Sequence, residues 1–274
     1  MTSFSSAAYW ESRYQAGGTS GAGSAGTLGA YKAAVINGFI EANAIRSMID
    51  VGCGDASLLG LLTPPRDYVG VDVSSSALAR CAARHPGGRF VTPSGLADVP
   101  PPELTVSLDV IYHLVEDAAY ISTMRNLFDW ATRFVVIYAS NVNASWPSPH
   151  VRHRRFTDDV ERTEPAWCLV AHLPNPRPFN PAAPDETSFS DFFIYGKRGE
   201  PCTIRVPEAG LRPEPRQEAL PPGPPSRASS ARAGSGRGPL KSIHWGESGE
   251  GVSGPRRGPV TPSPHSPQVT GSKG

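Results

Sequence analysis

Apolar positions follow two different rhythms along this chain. Between residues 28 and 40 they recur every three or four positions, at Leu28, Tyr31, Val35, Ile36, Phe39 and Ile40. That spacing marks one stripe of a helix of about four turns. From residue 46 onward, short β-branched runs alternate with helical stretches. Residues 46–51, 68–73, 89–92, 104–111 and 133–138 read as strands. Residues 57–62, 74–84 and 117–130 read as helices between them; Pro64-Pro65 closes the first, and serines suited to an N-cap open the second. Short buried strands separated by helices require parallel crossovers and a sheet covered on both faces. Residues 166–172 and 188–197 then read as two strands joined by a proline-rich connector over 174–184, with no helix between them. Consecutive strands without a crossover helix pair as antiparallel neighbours. The expected fold is α/β, a doubly wound, mostly parallel seven-stranded sheet closed by an antiparallel pair.

Composition divides the chain unevenly. Residues 199–274 hold 14 Pro and 13 Gly and almost no apolar run, so they are expected to form a disordered tail. The working domain is then 28–198, preceded by a leader over 1–27 that carries Tyr9-Trp10 and a Gly/Ser-rich stretch. The tail holds 10 Lys/Arg against 6 Asp/Glu, which leaves the body with 16 against 19. Such a body has no electrostatic footprint for nucleic acid. The four cysteines, Cys53, Cys81, Cys168 and Cys202, have neither metal-knuckle nor redox spacing. No apolar run approaches a membrane span and the N-terminus lacks signal-peptide character, so a cytoplasmic protein is expected. The tail is a mildly basic linker, a docking arm, or the product of a shifted or read-through frame.

The chemistry concentrates at the ends of the predicted strands. The first strand ends in Asp50-Val51-Gly52-Cys53-Gly54, followed by Asp55-Ala56-Ser57. Glycines at 52 and 54 allow backbone to approach a ligand where a side chain would collide. Asp50 puts negative charge at that mouth, which suits a cationic ligand and repels a pyrophosphate. A dinucleotide fingerprint would also need glycine where Ser57 stands. The second strand ends in Asp72-Val73, placing a carboxylate 18 residues beyond Gly54, where it can accept hydrogen bonds from ribose hydroxyls. The alternative role for Asp72 is a helix cap, which Ser74 and Ser75 can perform themselves.

This motif pair resembles the class I S-adenosylmethionine-dependent methyltransferases, whose first motif is an acidic residue followed by Gly-x-Gly; Ala56 replaces the third glycine of the fuller motif. The run 107–117, the leader and the segment 150–156 resemble a bacterial, small-molecule-type branch of that family. The resemblance implies a Rossmann-like methyltransferase fold and S-adenosylmethionine as cofactor. It places Asp50, Gly52, Cys53 and Gly54 at the methionine end, with Asp72 and Val73 at the ribose. At the adenine position the candidates are Ser94, Asp98 or backbone amides alone. Asp109, at the tip of the fourth strand, is a cofactor or catalytic contact, and the leader is either a lid or an unstructured Gly/Ser segment.

His113 is the candidate base, since it lies beside the expected crevice and titrates near neutrality; the alternative is a packed core histidine. His150 and His153 lack a third ligand and follow Pro147 and Pro149 in a loop, so no metal is expected. Arg152, Arg154 and Arg155 form a candidate substrate-anion site, with His150 and His153 as further substrate contacts, or else a solvated basic loop. The motifs of base-amino, cytosine carbon-5 and magnesium-dependent catechol-type methyltransferases are absent. The expected reaction is methyl transfer to O or N of a small-molecule or saccharide-like acceptor. The rivals are a nicotinamide-dependent oxidoreductase and an idle methyltransferase fold used as an interaction module.

Overall fold

The computed structural model describes residues 4–204. Five parallel strands, β1 (Ser47–Val51), β2 (Asp67–Val71), β3 (Arg89–Val91), β4 (Leu104–Leu108) and β5 (Phe134–Ala139), are followed by β6 (Trp167–Leu173) and β7 (Asp191–Lys197). They form one seven-stranded sheet in the order β3-β2-β1-β4-β5-β7-β6. β7 inserts between β5 and β6 and runs antiparallel to both. The reversal follows from the connector 174–190, which contains no helix to carry a parallel crossover. The order runs outward in both directions from the β1–β4 pair, so the chain reverses its winding there, and in such sheets the crevice lies at the carboxyl ends of those two strands.

Strand alternation explains how both faces are buried. On β5, Phe134, Val136 and Tyr138 enter one cluster, while Val135, Ile137 and Ala139 enter the other. The first face is covered by α2 (Gly26–Ala42), through Ala33, Val35, Ile36, Phe39 and Ile40, and by α3 (Ser75–Arg84), through Cys81. The second is covered by α4 (Asp117–Trp130), through Tyr120, Met124, Leu127 and Phe128. Phe156 and Val160 of α5 (Phe156–Thr163) complete it.

One local feature selects between the two forms expected of the leader, and three differ from the sequence reading. The leader is folded from Phe4: α1 (Ser6–Gln15) is a helix whose N-cap Ser5 accepts from Ala8 N–H. The expected helix over 57–62 is only a 3-10 turn at Leu59–Leu61, because the φ of +57° at Ala56 and the prolines at 64 and 65 leave no room for propagation. β4 ends at Leu108 rather than 111, since Asp109 adopts a φ of +62° and breaks the strand. α5 was not expected; two buried residues over eight give too little periodicity to reveal it. The ordered chain also passes the expected boundary at 198. Cys202 and Ile204 pack against the first cluster, and Thr203 exchanges hydrogen bonds with Asn43. The remainder of the expected tail, 205–274, lies outside the described residues.

Among the described residues no helix is long and apolar enough to cross a membrane. Phe39, 1% exposed, meets Phe134 edge to face with ring centres 5.2 Å apart. Phe39→Ala should cost about 3–5 kcal/mol. The check is a lowered urea midpoint with an unchanged slope.

Candidate active site

The turn after β1 is shaped by crowding from two directions. Gly52 and Gly54 have φ of +81° and +58°, in the left-handed region that favours glycine. A Cβ on Gly52 would lie 2.4 Å from Val110, so this glycine lets the tips of β1 and β4 meet. A Cβ on Gly54 would lie 2.3 Å from Ser20 Oγ and 2.7 Å from the Tyr14 hydroxyl, so this one admits the leader.

Two carboxylates border the turn. Asp72, just past β2, accepts the Gly54 N–H at 3.0 Å through one oxygen and the Ser74 N–H at 2.9 Å through the other. Ser74 caps α3 by accepting from Ala77 N–H, so Asp72 is not needed as the cap. Asp50, 5% exposed on β1, accepts from the Tyr68 hydroxyl at 3.1 Å. Burial raises both carboxyls, Asp50 to about 6, and the negative charge of Asp72 pushes Asp50 the same way. Cys53 is buried between them, its thiol pushed up by its hydrogen bond to Cys81 and by burial. Val73 is half-exposed beside Asp72. Ser94, exposed at the tip of β3, pairs with the Thr92 hydroxyl at 2.9 Å.

The leader lies across these tips. Glu11 accepts from the hydroxyls of Ser74 and Ser76, both at 2.7 Å, and those bonds hold its carboxyl down at about 2. Ser20 donates to Asp55 at 2.8 Å and pairs with Tyr14 at 3.0 Å. Arg80 reaches up from α3 to the carbonyls of Gly18 and Tyr14. At the far end, Glu116 accepts from the Ser6 N–H at 2.8 Å, and Trp10 meets His113 edge-on at 4.8 Å. The leader therefore spans from the β2 side of the sheet to the β4 side.

At the tip of β4, Asp109 pairs with Lys32, a residue of α2 that the sequence reading passed over. Lys32 is wholly buried, and its ammonium lies 2.7 Å from Asp109 Oδ2. The other oxygen, Oδ1, accepts from Ser190 at 2.8 Å. The missed signal was a cation at i+4 from Leu28 and i−4 from Ile36, in the middle of the apolar stripe.

The histidines and arginines divide. His113 Nδ1 lies 3.0 Å from the His150 carbonyl, so Nδ1 carries the proton and Nε2 the lone pair. Burial lowers its pKa to about 4. His150 stacks on Tyr9 and His113. His153 is buried elsewhere, 2.6 Å from Ser140 Oγ and against Trp146 and Phe189, and burial lowers it too to about 4. The expected anion site is not assembled. Arg152 is paired with Asp117 at 2.9 Å and Arg155 with Asp158 at 3.2 Å, so their charges are already matched by neighbouring acids. Arg154 is taken by Asp117 and the carbonyls of Leu114 and Val115.

No family model and no curated protein matches the chain. Solved structures do. The magnesium protoporphyrin IX methyltransferase of Synechocystis PCC 6803 with bound SAM aligns at TM-score 0.50 and 14% identity, covering 72% of this chain and 99% of that one. The methyltransferase domain of bacterial CtHen1-C aligns at TM-score 0.48 and 18% identity, covering 62% of this chain and 99% of that one. The first alignment establishes a shared fold and leaves the substrate open.

The depressed histidines set an acid limb. Below about pH 6.5 an unfolded chain takes up protons that folded His113 and His153 refuse until about 4, so stability falls as pH drops through that window. Asp50 acts in the opposite sense, because its folded carboxyl binds a proton near 6 and its unfolded one near 3.8. The net of these three groups is about one proton favouring unfolding, or roughly 1.4 kcal/mol per pH unit between 6 and 4. His113→Asn, whose amide can still donate to the His150 carbonyl, should flatten that limb in chemical denaturation. A limb as steep as the parent's would mean that folded His113 already carries a second proton.

Proposed function

We propose that this chain, which has the class I methyltransferase fold, is an S-adenosylmethionine-dependent methyltransferase acting on O or N of a small acceptor. The observation that carries the proposal is the acid-lined glycine cradle, in which Asp72 grips the Gly54 N–H while Asp50 sits buried beside it. Both carboxyls are raised by burial, so a ligand offering hydroxyl donors and a cationic centre would stabilise their ionised forms. With Glu11 close to Asp72, the same acids would repel the pyrophosphate of a nicotinamide cofactor. The donor set fits a sulfonium nucleoside.

In this reading Gly52, Cys53, Gly54 and Asp50 hold the methionine end, and Asp72 the ribose through the lone pairs its backbone partners leave free. Val73 and Ser94 border the nucleoside side. When bound, S-adenosylmethionine supplies a methyl group on an excellent leaving group. The chain's own task is then chiefly alignment and the removal of one proton from the acceptor. His113 is suited to that proton at Nε2, since the His150 carbonyl holds the other nitrogen protonated. With a pKa near 4 it is neutral at physiological pH, always in its accepting form but a weak base. A sulfonium leaving group makes a weak base sufficient for an acceptor whose proton is already acidic. The leader acts as a lid, and its ties at both Ser74 and Glu116 favour acceptors small enough to lie beneath it.

Calorimetric titration with S-adenosylhomocysteine and with NAD tests the assignment. Micromolar binding of the first and none of the second is expected; the reverse would replace this function with an oxidoreductase. Asp72→Ala should weaken S-adenosylhomocysteine binding by roughly 1.5–3 kcal/mol, as for loss of charged hydrogen bonds. Unchanged affinity would remove Asp72 from the site.

A further inference from the structure

A cluster of rings and one buried imidazole stands on the side of the crevice away from the glycine turn. Because β7 runs antiparallel to β5, Asp191 at its start pairs with Ala139 at the end of β5. Ser140, just past β5, and Phe189, just before β7, are thereby brought to the same corner. Ser190 fastens that corner to the tip of β4 by donating to Asp109 Oδ1 at 2.8 Å. His153 fills it. This residue is 3% exposed, and its Nδ1 lies 2.6 Å from Ser140 Oγ. Its Nε2 diverges from that bond, is shut off from water, and has no hydrogen-bond partner among the described residues. The rings that meet His153 are those of Phe189 at 4.7 Å, Trp146 at 5.1 Å and Tyr112 at 5.9 Å. Trp146 also meets Phe179 and Phe189, each at 5.5 Å, and these three rings are only half-buried.

A buried ring nitrogen left without a partner is costly, so its retention calls for a use. Half-exposed rings with one polar atom behind them are the make-up of a site for an aromatic ligand. We propose that this corner binds the acceptor, an uncharged flat aromatic ring that inserts between Trp146 and Phe189 and presents a hydroxyl to His153 Nε2. A hydroxyl both donates and accepts, so it satisfies Nε2 in either tautomer of the neutral imidazole. Two observations favour a ligand without charge. Burial holds His153 down at about 4, so the imidazole is neutral at physiological pH. The charges of Arg152, Arg154 and Arg155 are already matched by Asp117 and Asp158. The Tyr112 ring meets His113 at 4.5 Å on one side and His153 on the other. The hydroxyl at His153 is therefore an anchor, and the methylated group is another substituent of the ring, on the side of His113. This assignment rests on the methyltransferase reading and narrows its small acceptor to a hydroxylated arene.

The test is binding of naphthol, naphthalene and the saturated decahydro analogue of naphthol to the full chain by calorimetry, with circular dichroism as the control for folding. Naphthol should bind roughly tenfold more tightly than its saturated analogue, which cannot stack. It should also bind roughly fivefold more tightly than naphthalene, which lacks the hydroxyl. His153→Asn keeps a polar atom for Ser140 in the place of Nδ1 and has none in the place of Nε2. In that variant naphthol and naphthalene should bind alike. Trp146→Ala, at a half-exposed ring, should weaken both arenes by roughly five- to tenfold. A folded His153→Asn that keeps the parent's preference for naphthol would overturn the assignment. So would Trp146→Ala at parent affinity, or a parent chain that holds the saturated analogue as well as naphthol. If His153→Asn does not fold, Trp146→Ala decides. S-adenosylhomocysteine binding without naphthol binding removes the aromatic acceptor alone, whereas naphthol binding without S-adenosylhomocysteine binding leaves the ring site standing and removes the methyltransferase reading.

Discussion

Charge placed at the tips of β1, β2 and β4 has to be compensated locally, because these tips are largely shut off from water. Asp50, Asp72 and Asp109 stand on three adjacent strand ends, and each has a different solution. Asp72 takes two backbone N–H groups, Asp109 takes an ammonium and a hydroxyl, and Asp50 has one tyrosine hydroxyl. Backbone donors stabilise a carboxylate without introducing a competing cation, so Asp72 retains acceptor capacity. Asp109 is nearly saturated. Asp50 has the fewest hydrogen-bond donors of the three, and burial lifts its carboxyl to about 6. The arrangement of the leader, α2 and the glycine turn follows from serving these three groups.

The architecture was legible because burial leaves a periodic trace. The α2 stripe, the alternation on β5 and the helix-free connector before β7 each constrain the pattern of apolar residues directly. The glycine turn was legible for a different reason: close backbone approach excludes side chains, and Val110 and Ser20 occupy the space those side chains would need. The leader left no such trace. Many of its ties are hydrogen bonds, Ser20 donating to Asp55, Ser74 to Glu11 and Ser6 to Glu116, made by polar residues that in a sequence look like solvated loop. Periodicity reports which residues are buried and is silent on which distant polar group satisfies them.

The basic segment after β5 is a case in which the sequence reading leaves two alternatives, an anion site and a solvated basic loop. Three arginines and two histidines within six residues suggest an anion site, yet charge density is informative only when the charges are unmatched. Asp117, at the first turn of α4, and Asp158, in the first turn of α5, meet Arg152, Arg154 and Arg155. Acidic residues also favour helix N-termini on their own account. The arginines therefore fasten the loop to two helices. His113 and His150 are then set by that fastened loop, since the His150 carbonyl fixes the tautomer of His113 and its ring stacks on Tyr9 of α1.

The chain beyond β7 bears on how the domain can be handled. Glu200 holds the Arg133 guanidinium at 2.6 Å, Thr203 closes both polar ends of the Asn43 side chain, and Ile204 lies against the core under α2. A version shortened at Arg198 would uncap the C-terminal end of α2, the helix that carries Lys32, and leave the Arg133 guanidinium with one of its two acidic partners. Shortening should therefore respect residue 204, because the six residues after Arg198 belong to the support of the cleft although they stand at the opposite end of the sheet.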